Sequence, residues 1–413
     1  MVPRRGHPSL LQCATSTLGA PYMRIGVLKE TFAGERRVAL VPGVLATLKK
    51  AGCDVVVEPG AGAAAGFPDA DYTDKGAATA PRAEIFASAD VVLMVRTPGA
   101  NPDGGAADVA ALRANQVVIG TCEPLSAGTL LPAMASAGAT TFALELVPRI
   151  TRAQSMDVLS SQATIAGYRA VLIAATRLPR MFPMLMTAAG TIAPAKVLVI
   201  GAGVAGLQAI ATARRLGAKV SAYDVRPAAK EQINSLGAVF VELPLETTGA
   251  EDKGGYAKVQ GEDFLRKQRE LLARVVAEQD VVITTAAVPG AKSPVIVTGD
   301  MVAAMASGSV IVDLAAERGG NCELTKADQE VVTPNGVLVL GPLNVASSIP
   351  YHASQMFAKN ITTFLLSMVK KGELTIDMND EVVRDSLVTR GGEVVHPRVR
   401  QVHGLPELAS ARA

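Results

Sequence analysis

Lys196-Val-Leu-Val-Ile-Gly201-Ala-Gly203-Val-Ala-Gly206-Leu-Gln-Ala-Ile-Ala-Thr-Ala-Arg-Arg-Leu-Gly-Ala-Lys-Val-Ser-Ala-Tyr-Asp224 reads as a buried strand, a glycine turn, a helix and a second strand ending in an acid. Gly201 permits a tight turn, Gly203 lets the backbone approach a pyrophosphate, and Gly206 lets the helix pack on the strand. Ala202, Val204 and Ala205 complete the turn and open the helix, whose free N–H groups and positive dipole end suit phosphate. Asp224 stands 18 residues after Gly206, followed by Val225 and Arg226. A carboxylate there accepts hydrogen bonds from an adenosine ribose and repels a 2′-phosphate, which favours NAD(H) over NADP(H). Arg226 pulls the other way, because an arginine can pair with that phosphate. The competing reading of the segment is a glycine turn with no ligand.

The chain has 413 residues, 49% of them hydrophobic, enough for two domains with large cores. Basic and acidic side chains number 40 and 38, for a net charge of +2. This near balance, with no run of like charge and few aromatics, excludes a nucleic-acid partner. Cys13, Cys53, Cys122 and Cys322 are too scattered for a zinc spacing or a disulfide framework, and the four histidines are equally dispersed. No metal site is expected. The uncharged apolar window between Lys196 and Arg214 holds the glycine turn and is too short for a membrane span. A soluble chain with no transmembrane segment of its own is therefore expected. Residues 1–22 contain Arg4, Arg5 and His7 but no acid. They read as a disordered tail or the product of a mis-set start, with Met23 the functional start, although a targeting segment shares this composition.

From Met23 onward, strands alternate with helices. Ile25–Leu28, Asp54–Glu58, Val91–Val95, Val117–Thr121 and Thr140–Glu145 read as one set of strands, with a Pro42–Ala51 helix closed by Gly52. Val197–Ile200, Val220–Tyr223, Val281–Thr285, Val310–Leu314 and Val337–Gly341 read as a second set. Ser155–Thr176 and Pro183–Ala188 read as helices at a domain junction, and Ala353–Lys371 as a helix that returns the chain to the first domain. The expected class is α/β: two Rossmann-like, doubly wound parallel-sheet domains with a cleft between them. The expected boundaries are 23–158 plus 349–400 for a discontinuous first domain, 159–348 for an NAD(H)-binding Rossmann domain, and 401–413 for a C-terminal tail. Met181, Met184 and Met186 read as interdomain core, and His352 as a structural or interface residue.

Loops after the strands of the second set supply further candidates. Tyr256 sits in a Gly-rich, charged loop, Thr247–Gly261, that carries no strand or helix signal. Ala286 and Pro289 follow one strand and would line an adenosine pocket with backbone. Glu317, Gly319, Gly320 and Asn321 follow the next and would lie beside the nicotinamide ribose, with Asn344 in the same neighbourhood. For each, a plain turn is the competing reading.

Lys29-Glu30 followed by Glu35-Arg-Arg-Val-Ala-Leu-Val-Pro42 resembles the opening shared by alanine dehydrogenases and proton-translocating nicotinamide nucleotide transhydrogenases. Pro148-Arg149-Ile-Thr-Arg-Ala-Gln154-Ser-Met-Asp157-Val-Leu-Ser160-Ser-Gln resembles the signature loop of the NAD(H)-binding component of the transhydrogenases. Met186–Thr191, Gly254–Lys258 and Asp313–Cys322 do the same, and the resemblance runs from about Met23 to His396. Where the dehydrogenases carry a lysine and a histidine, this chain has Arg96 in Met94-Val-Arg96-Thr-Pro and neither residue in Gly120-Thr-Cys122-Glu-Pro. A keto-acid amination lacks an obvious proton-transferring group here.

The resemblance implies a separately encoded subunit that binds NAD(H) and passes hydride to or from NADP(H) on a partner subunit. A transmembrane subunit would couple the transfer to proton movement. It implies a homodimer, cytoplasmic and peripheral on the inner face of the plasma membrane. It also implies roles. Arg149 and Asp157 form a charged pair that orients the nicotinamide, Ser160 bonds its amide, and Gln154 reaches towards the NADP(H) of the partner. Tyr256 reaches the adenosine side when its loop closes. Hydride transfer between two nicotinamides needs orientation and exclusion of water rather than a general acid or base, which suits these polar residues. The alternatives are an alanine dehydrogenase-like enzyme and an NAD(H) sensor without turnover.

Overall fold

The computed structural model describes residues 23–126, 128–242, 261–287 and 292–408. Tyr256 and Pro289, most of the Thr247–Gly261 loop, and both expected tails in whole or in part lie outside the described residues.

Apolar, β-branched runs form two mainly parallel sheets, as strands buried on both faces do. In the first, β1 (Met23–Val27), β2 (Cys53–Val57), β3 (Ala78–Thr79), β4 (Val91–Arg96), β5 (Val117–Thr121) and β6 (Thr140–Ala143) lie in the order β6-β5-β4-β1-β2-β3, all parallel. The order reverses at β1, which opens a crevice at the carboxyl ends of β1 and β4. One face packs Ile25, Val27, Leu93 and Val95 against Phe357, Ile361, Phe364 and Leu365 of a helix at Pro350–Met368. The other packs Val56, Val92 and Met94 against Ile85 and Phe86.

After a short hairpin of β7 (Leu185–Thr187) and β8 (Gly190–Ile192), the second sheet follows. It holds β9 (Lys196–Ile200), β10 (Lys219–Tyr223), β11 (Val239–Phe240), β12 (Val281–Thr284), β13 (Val310–Asp313), β14 (Glu330–Val332) and β15 (Leu338–Leu340). Their order is β11-β10-β9-β12-β13-β15-β14, with only β14 antiparallel, so this sheet reverses between β9 and β12. Beyond the Pro350–Met368 helix come a small pair, β16 (Val369–Lys370) with β17 (Glu373–Leu374), then β18 (Leu387–Arg390) and β19 (Glu393–Val394). The last two extend the first sheet, β18 running antiparallel to β6.

A helix at Val158–Arg177 ties the sheets together. Val158 at its head joins the first core, while Ala170, Val171 and Ala174 join the second. It is the one helix among the described residues long and apolar enough to cross a membrane, by length and composition alone. Its Gly167 lies against the Val204–Arg215 helix so closely that a Cβ would come 2.0 Å from the Ala205 carbonyl oxygen.

Three expectations need correction. Pro183–Ala188 is not a helix: Leu185 pairs with Ile192 and Thr187 with Gly190 across the hairpin, and Gly190 takes φ +128°, a conformation a helix cannot hold. Met181, Met184 and Met186 are not interdomain core: Met186 on this hairpin and the two methionines just before it stand outward, 74%, 44% and 60% exposed respectively. The helix expected from Ser155 starts at Val158, since Asp157 caps it through the Ser160 amide and 151–156 form a 3₁₀ turn.

Candidate functional site

At the carboxyl end of β9, Gly201 turns with φ +93° and its carbonyl accepts from Thr285 Oγ1 at 2.9 Å, just past the end of β12 across the reversal point. Gly206 is packed shut: a Cβ would sit 1.8 Å from the Gly201 oxygen. Gly203 is the opposite. It is exposed, has φ −73°, and a Cβ there would meet nothing within 4 Å. It caps the Val204–Arg215 helix without a side chain, so no side chain accepts from the first helical N–H groups. An anion of pyrophosphate size fits that arrangement.

Asp224, at the tip of β10, is only 8% exposed. Oδ2 accepts from the Ala202 amide at 2.6 Å, and Oδ1 accepts from the Arg226 amide at 2.8 Å. The Arg226 guanidinium donates to both oxygens at 2.9 Å. The acid therefore holds the glycine turn and carries a cation over itself.

Asp313 ends β13 and organises the next loop. Its buried carboxylate accepts from Thr284 Oγ1, the amides of Ala315, Asn321 and Cys322, and Thr325 Oγ1, at 2.7 to 3.0 Å. Five donors on one carboxylate fix Gly319 and Gly320, both at positive φ, and the backbone around Glu317. Asn321 is spent inside this loop. Oδ1 accepts from the Ala286 amide and Nδ2 donates to the carbonyls of Ala286 and Pro294. Glu317 Oε1 accepts from the Asn344 amide at 2.6 Å.

Arg149, Asp157 and Ser160 come together at the head of the Val158–Arg177 helix. Ser160 Oγ donates to Asp157 Oδ2 at 2.6 Å, Arg149 Nη2 donates to Ser160 Oγ at 3.1 Å, and Arg149 Nε lies 3.7 Å from Asp157 Oδ2. Gln154, on the adjoining 3₁₀ turn at Thr151–Met156, is exposed.

A second polar cluster fills the reversal point of the first sheet. Glu35, its side chain fully buried, accepts from Arg37 at 2.6 Å, Arg96 at 3.3 Å and Asn344 Nδ2 at 3.1 Å. Arg37 also reaches Gln162 and Asn344, and Arg96 lies 4.2 Å above the Phe32 ring. Burial pushes the Glu35 carboxyl up, but the Arg37 hydrogen bond and charge outweigh it and hold it down at about 2. Glu30 accepts from the Val95 and Arg96 amides at 2.6 and 3.2 Å. Burial, then the Glu35 charge, push it up to about 8. Glu145, after β6, is pushed up to about 7 by burial and then by Glu123. Across the cleft, Arg318 pairs with Glu123 at 3.0 Å.

The raised carboxyls keep protons in the fold that an unfolded chain, titrating near 4.5, has already released. Stability therefore declines as pH climbs from about 4.5 through about 8. Glu30→Gln is expected to flatten part of that decline. Thermal midpoints followed between about pH 5 and about pH 9 check this; a slope the substitution leaves unchanged would refute it.

Two family descriptions cover most of the chain: "Alanine dehydrogenase/PNT, N-terminal domain" matches residues 26–166, and "Alanine dehydrogenase/PNT, C-terminal domain" matches residues 170–397. The chain belongs to the alanine dehydrogenase/PNT family. A Rhodospirillum rubrum relative, a chain of NAD(P) transhydrogenase subunit alpha, is 46% identical over 379 residues, covering 91% of this chain and 98% of its own. A solved transhydrogenase from Sinorhizobium meliloti superposes with a TM-score of 0.78 at 47% identity, over 91% of this chain and 99% of that one. An alanine dehydrogenase of Halomonas elongata is 29% identical over 397 residues, covering 94% and 99% of the two chains.

In this alanine dehydrogenase/PNT chain, three of the four residues of the signature loop meet, and Gln154 stands apart from them. Glu317 and Asn344 meet through one hydrogen bond, and Ala286 is pinned beside the glycine turn by Asn321. Asp224 and Asn321 spend their side chains on the protein. His352 is exposed and packs edge-on against Tyr351. Among the described residues no group of three or more His, Cys, Asp or Glu could hold a metal ion. Sequence reading missed Asp313 as an organiser, although an acid closing the apolar run Val310-Ile-Val was the available signal. It also missed the Glu30–Glu35–Arg37–Arg96 cluster, whose charges interrupt apolar sequence beside β1 and β4.

Proposed function

We propose that this chain is the NAD(H)-binding subunit of a proton-translocating, Re/Si-specific transhydrogenase. It exchanges hydride with NADP(H) on a partner subunit, with a membrane subunit coupling the transfer to proton movement at the inner face of the plasma membrane. One observation carries the reading. A self-satisfied Arg149–Asp157–Ser160 group and an exposed Gln154 share one short segment, in a chain aligned along almost the full length of a relative named for this activity. When bound, the nicotinamide supplies or takes the hydride. The role of the chain itself is to hold it. The Gly203 turn and the helix start take the pyrophosphate, Arg226, held over the turn by Asp224, meets the ribose, and Glu317 and Asn344 flank the nicotinamide side. Arg149, Asp157 and Ser160 orient the ring and its carboxamide. Tyr256 and Pro289 belong to the same proposal on the adenosine side. The exposed apolar hairpin with Met184 and Met186 supports a homodimer in which a second copy covers it.

The test mixes the purified chain with the isolated NADP(H)-binding component of a transhydrogenase and follows NADPH-dependent reduction of an NAD⁺ analogue. Activity only in the mixture is expected, with NADH binding the isolated chain more tightly than NADPH. Gln154→Asn is expected to leave NADH affinity within about twofold while slowing transfer at least about tenfold, as misplacement of a reacting pair does. An inactive mixture, or transfer and affinity falling together, would overturn the reading. Turnover with pyruvate and ammonia would replace it with the dehydrogenase, and NADH binding without any turnover with the sensor.

A further inference from the structure

The Thr151–Met156 turn that carries Gln154 is a 3₁₀ helix of six residues with no side-chain cap at Ile150. Such helices seldom exceed three or four residues by their own hydrogen bonds, so this one depends on outside support. Three contacts supply it. Ala153 and Met156 are buried in the first core. Arg152 forks onto Asp380, Nη2 to Oδ1 at 2.6 Å and Nη1 to Oδ2 at 3.1 Å. Asn360, buried on the Pro350–Met368 helix, donates Nδ2 to the Ser155 carbonyl at 2.8 Å. Gln154 stands exposed between the residues so held.

We infer that Asp380 and Asn360 are positioning residues for hydride transfer: they fix the turn from outside the nucleotide site and so set where Gln154 stands. The inference rests on the transhydrogenase reading above. Asp380 is itself rigid, because Oδ1 also accepts from the Val382 amide and caps the Glu381–Ser386 helix. A bidentate arginine–carboxylate pair fixes direction as well as distance. Being exposed, it adds little to global stability, so its loss leaves the fold in place. Neither Asp380 nor Asn360 bonds Arg149, Asp157 or Ser160 among the described contacts, so nucleotide affinity is not their concern.

The test uses the full chain mixed with the isolated NADP(H)-binding component, and reads single-turnover transfer, NADH affinity and thermal midpoint together. Asp380→Asn keeps a capping oxygen and loses the charge. It is expected to slow transfer about tenfold, with affinity within about twofold and an unchanged midpoint. Asn360→Ala removes the independent support and is expected to act in the same direction. Arg152→Lys, which keeps the charge but loses the fork, and Arg152→Gln are both expected to slow transfer, the first by less. Unchanged transfer in both Asp380→Asn and Asn360→Ala overturns the inference, as does a loss that only tracks affinity or stability. Gln154→Asn in the same assay separates the two ideas. If it slows transfer while the supports do not, the transhydrogenase reading stands and this inference falls. If the unsubstituted mixture is inactive, the reading itself has failed.

Discussion

Gly203→Val is expected to leave the protein folded and to weaken NADH binding at least about a hundredfold, equivalent to about 2.7 kcal/mol. The backbone at Gly203 has φ −73°, which any residue adopts, and a Cβ there meets nothing within 4 Å. The only structural cost is at the helix cap, where an apolar branched residue costs about 1 kcal/mol. A ligand, by contrast, needs that space: a pyrophosphate bonded to the first helical amides has to approach where the valine methyls would stand. Gly206 offers no such separation of effects, since a Cβ 1.8 Å from the Gly201 oxygen disturbs the turn itself. Fluorescence titration with NADH beside a thermal scan distinguishes the two glycines. Undiminished NADH affinity in a folded Gly203→Val protein would sink the nucleotide reading of this turn.

Gly167→Ala is expected to destabilise the chain by about 2 kcal/mol or more, although helix propensity alone predicts a gain. Alanine is better than glycine inside a helix by about 1 kcal/mol. Against that, the new Cβ would lie 2.0 Å from the Ala205 carbonyl oxygen and 2.9 Å from its Cα. Those atoms are backbone of the facing helix and cannot rotate away, so the two helices must separate. Overpacking of this kind costs about 1 to 3 kcal/mol and more where nothing yields. The displaced segment, Val204–Ala205, is also the proposed phosphate-binding helix start, so NADH affinity is expected to fall with stability. Urea or thermal unfolding checks the first effect. A midpoint at or above that of the unsubstituted chain would show that the close crossing of these helices is not a constraint.

Much of the fold was legible because parallel strands buried on both faces read as continuous apolar runs. Val117–Thr121 has the bounds expected from its sequence, and β1, β2, β4, β9, β10, β12 and β13 lie within about two residues of them at each end. The two-residue edge strands β3 and β11 carry too little pattern to be read. The β7–β8 segment failed for a different reason. A short run of Met, Leu, Thr and Ala fits either period, and Gly190 at φ +128° decides for a hairpin. Its methionines were assigned to the core because they are apolar, yet apolar residues also make up much of a protein surface.

In the candidate site, the division follows how far apart the partners lie in sequence. Glycine at 201, 203 and 206 answers a local geometric demand, so the sequence alone determines that turn, and with it the capping of the next long helix. The same holds for Asp157, whose acceptor lies three residues from the Ser160 donor. Residue type, by contrast, did not tell that Asp224 would bond the Ala202 amide, or that Asn321 would be consumed by Ala286 and Pro294. Nor did it tell that Glu35 would gather Arg96 and Asn344, the last of these 309 residues away. The Asp224 and Asn321 bonds form because neighbouring strands of the second sheet end side by side, and the Glu35–Asn344 bond because the two sheets meet at one cleft. A buried charge must be paired wherever the fold leaves it, and the partner is whichever group folding brings there. Local backbone demands were thus fixed by the order of residues, and the occupants of the cleft by tertiary structure alone.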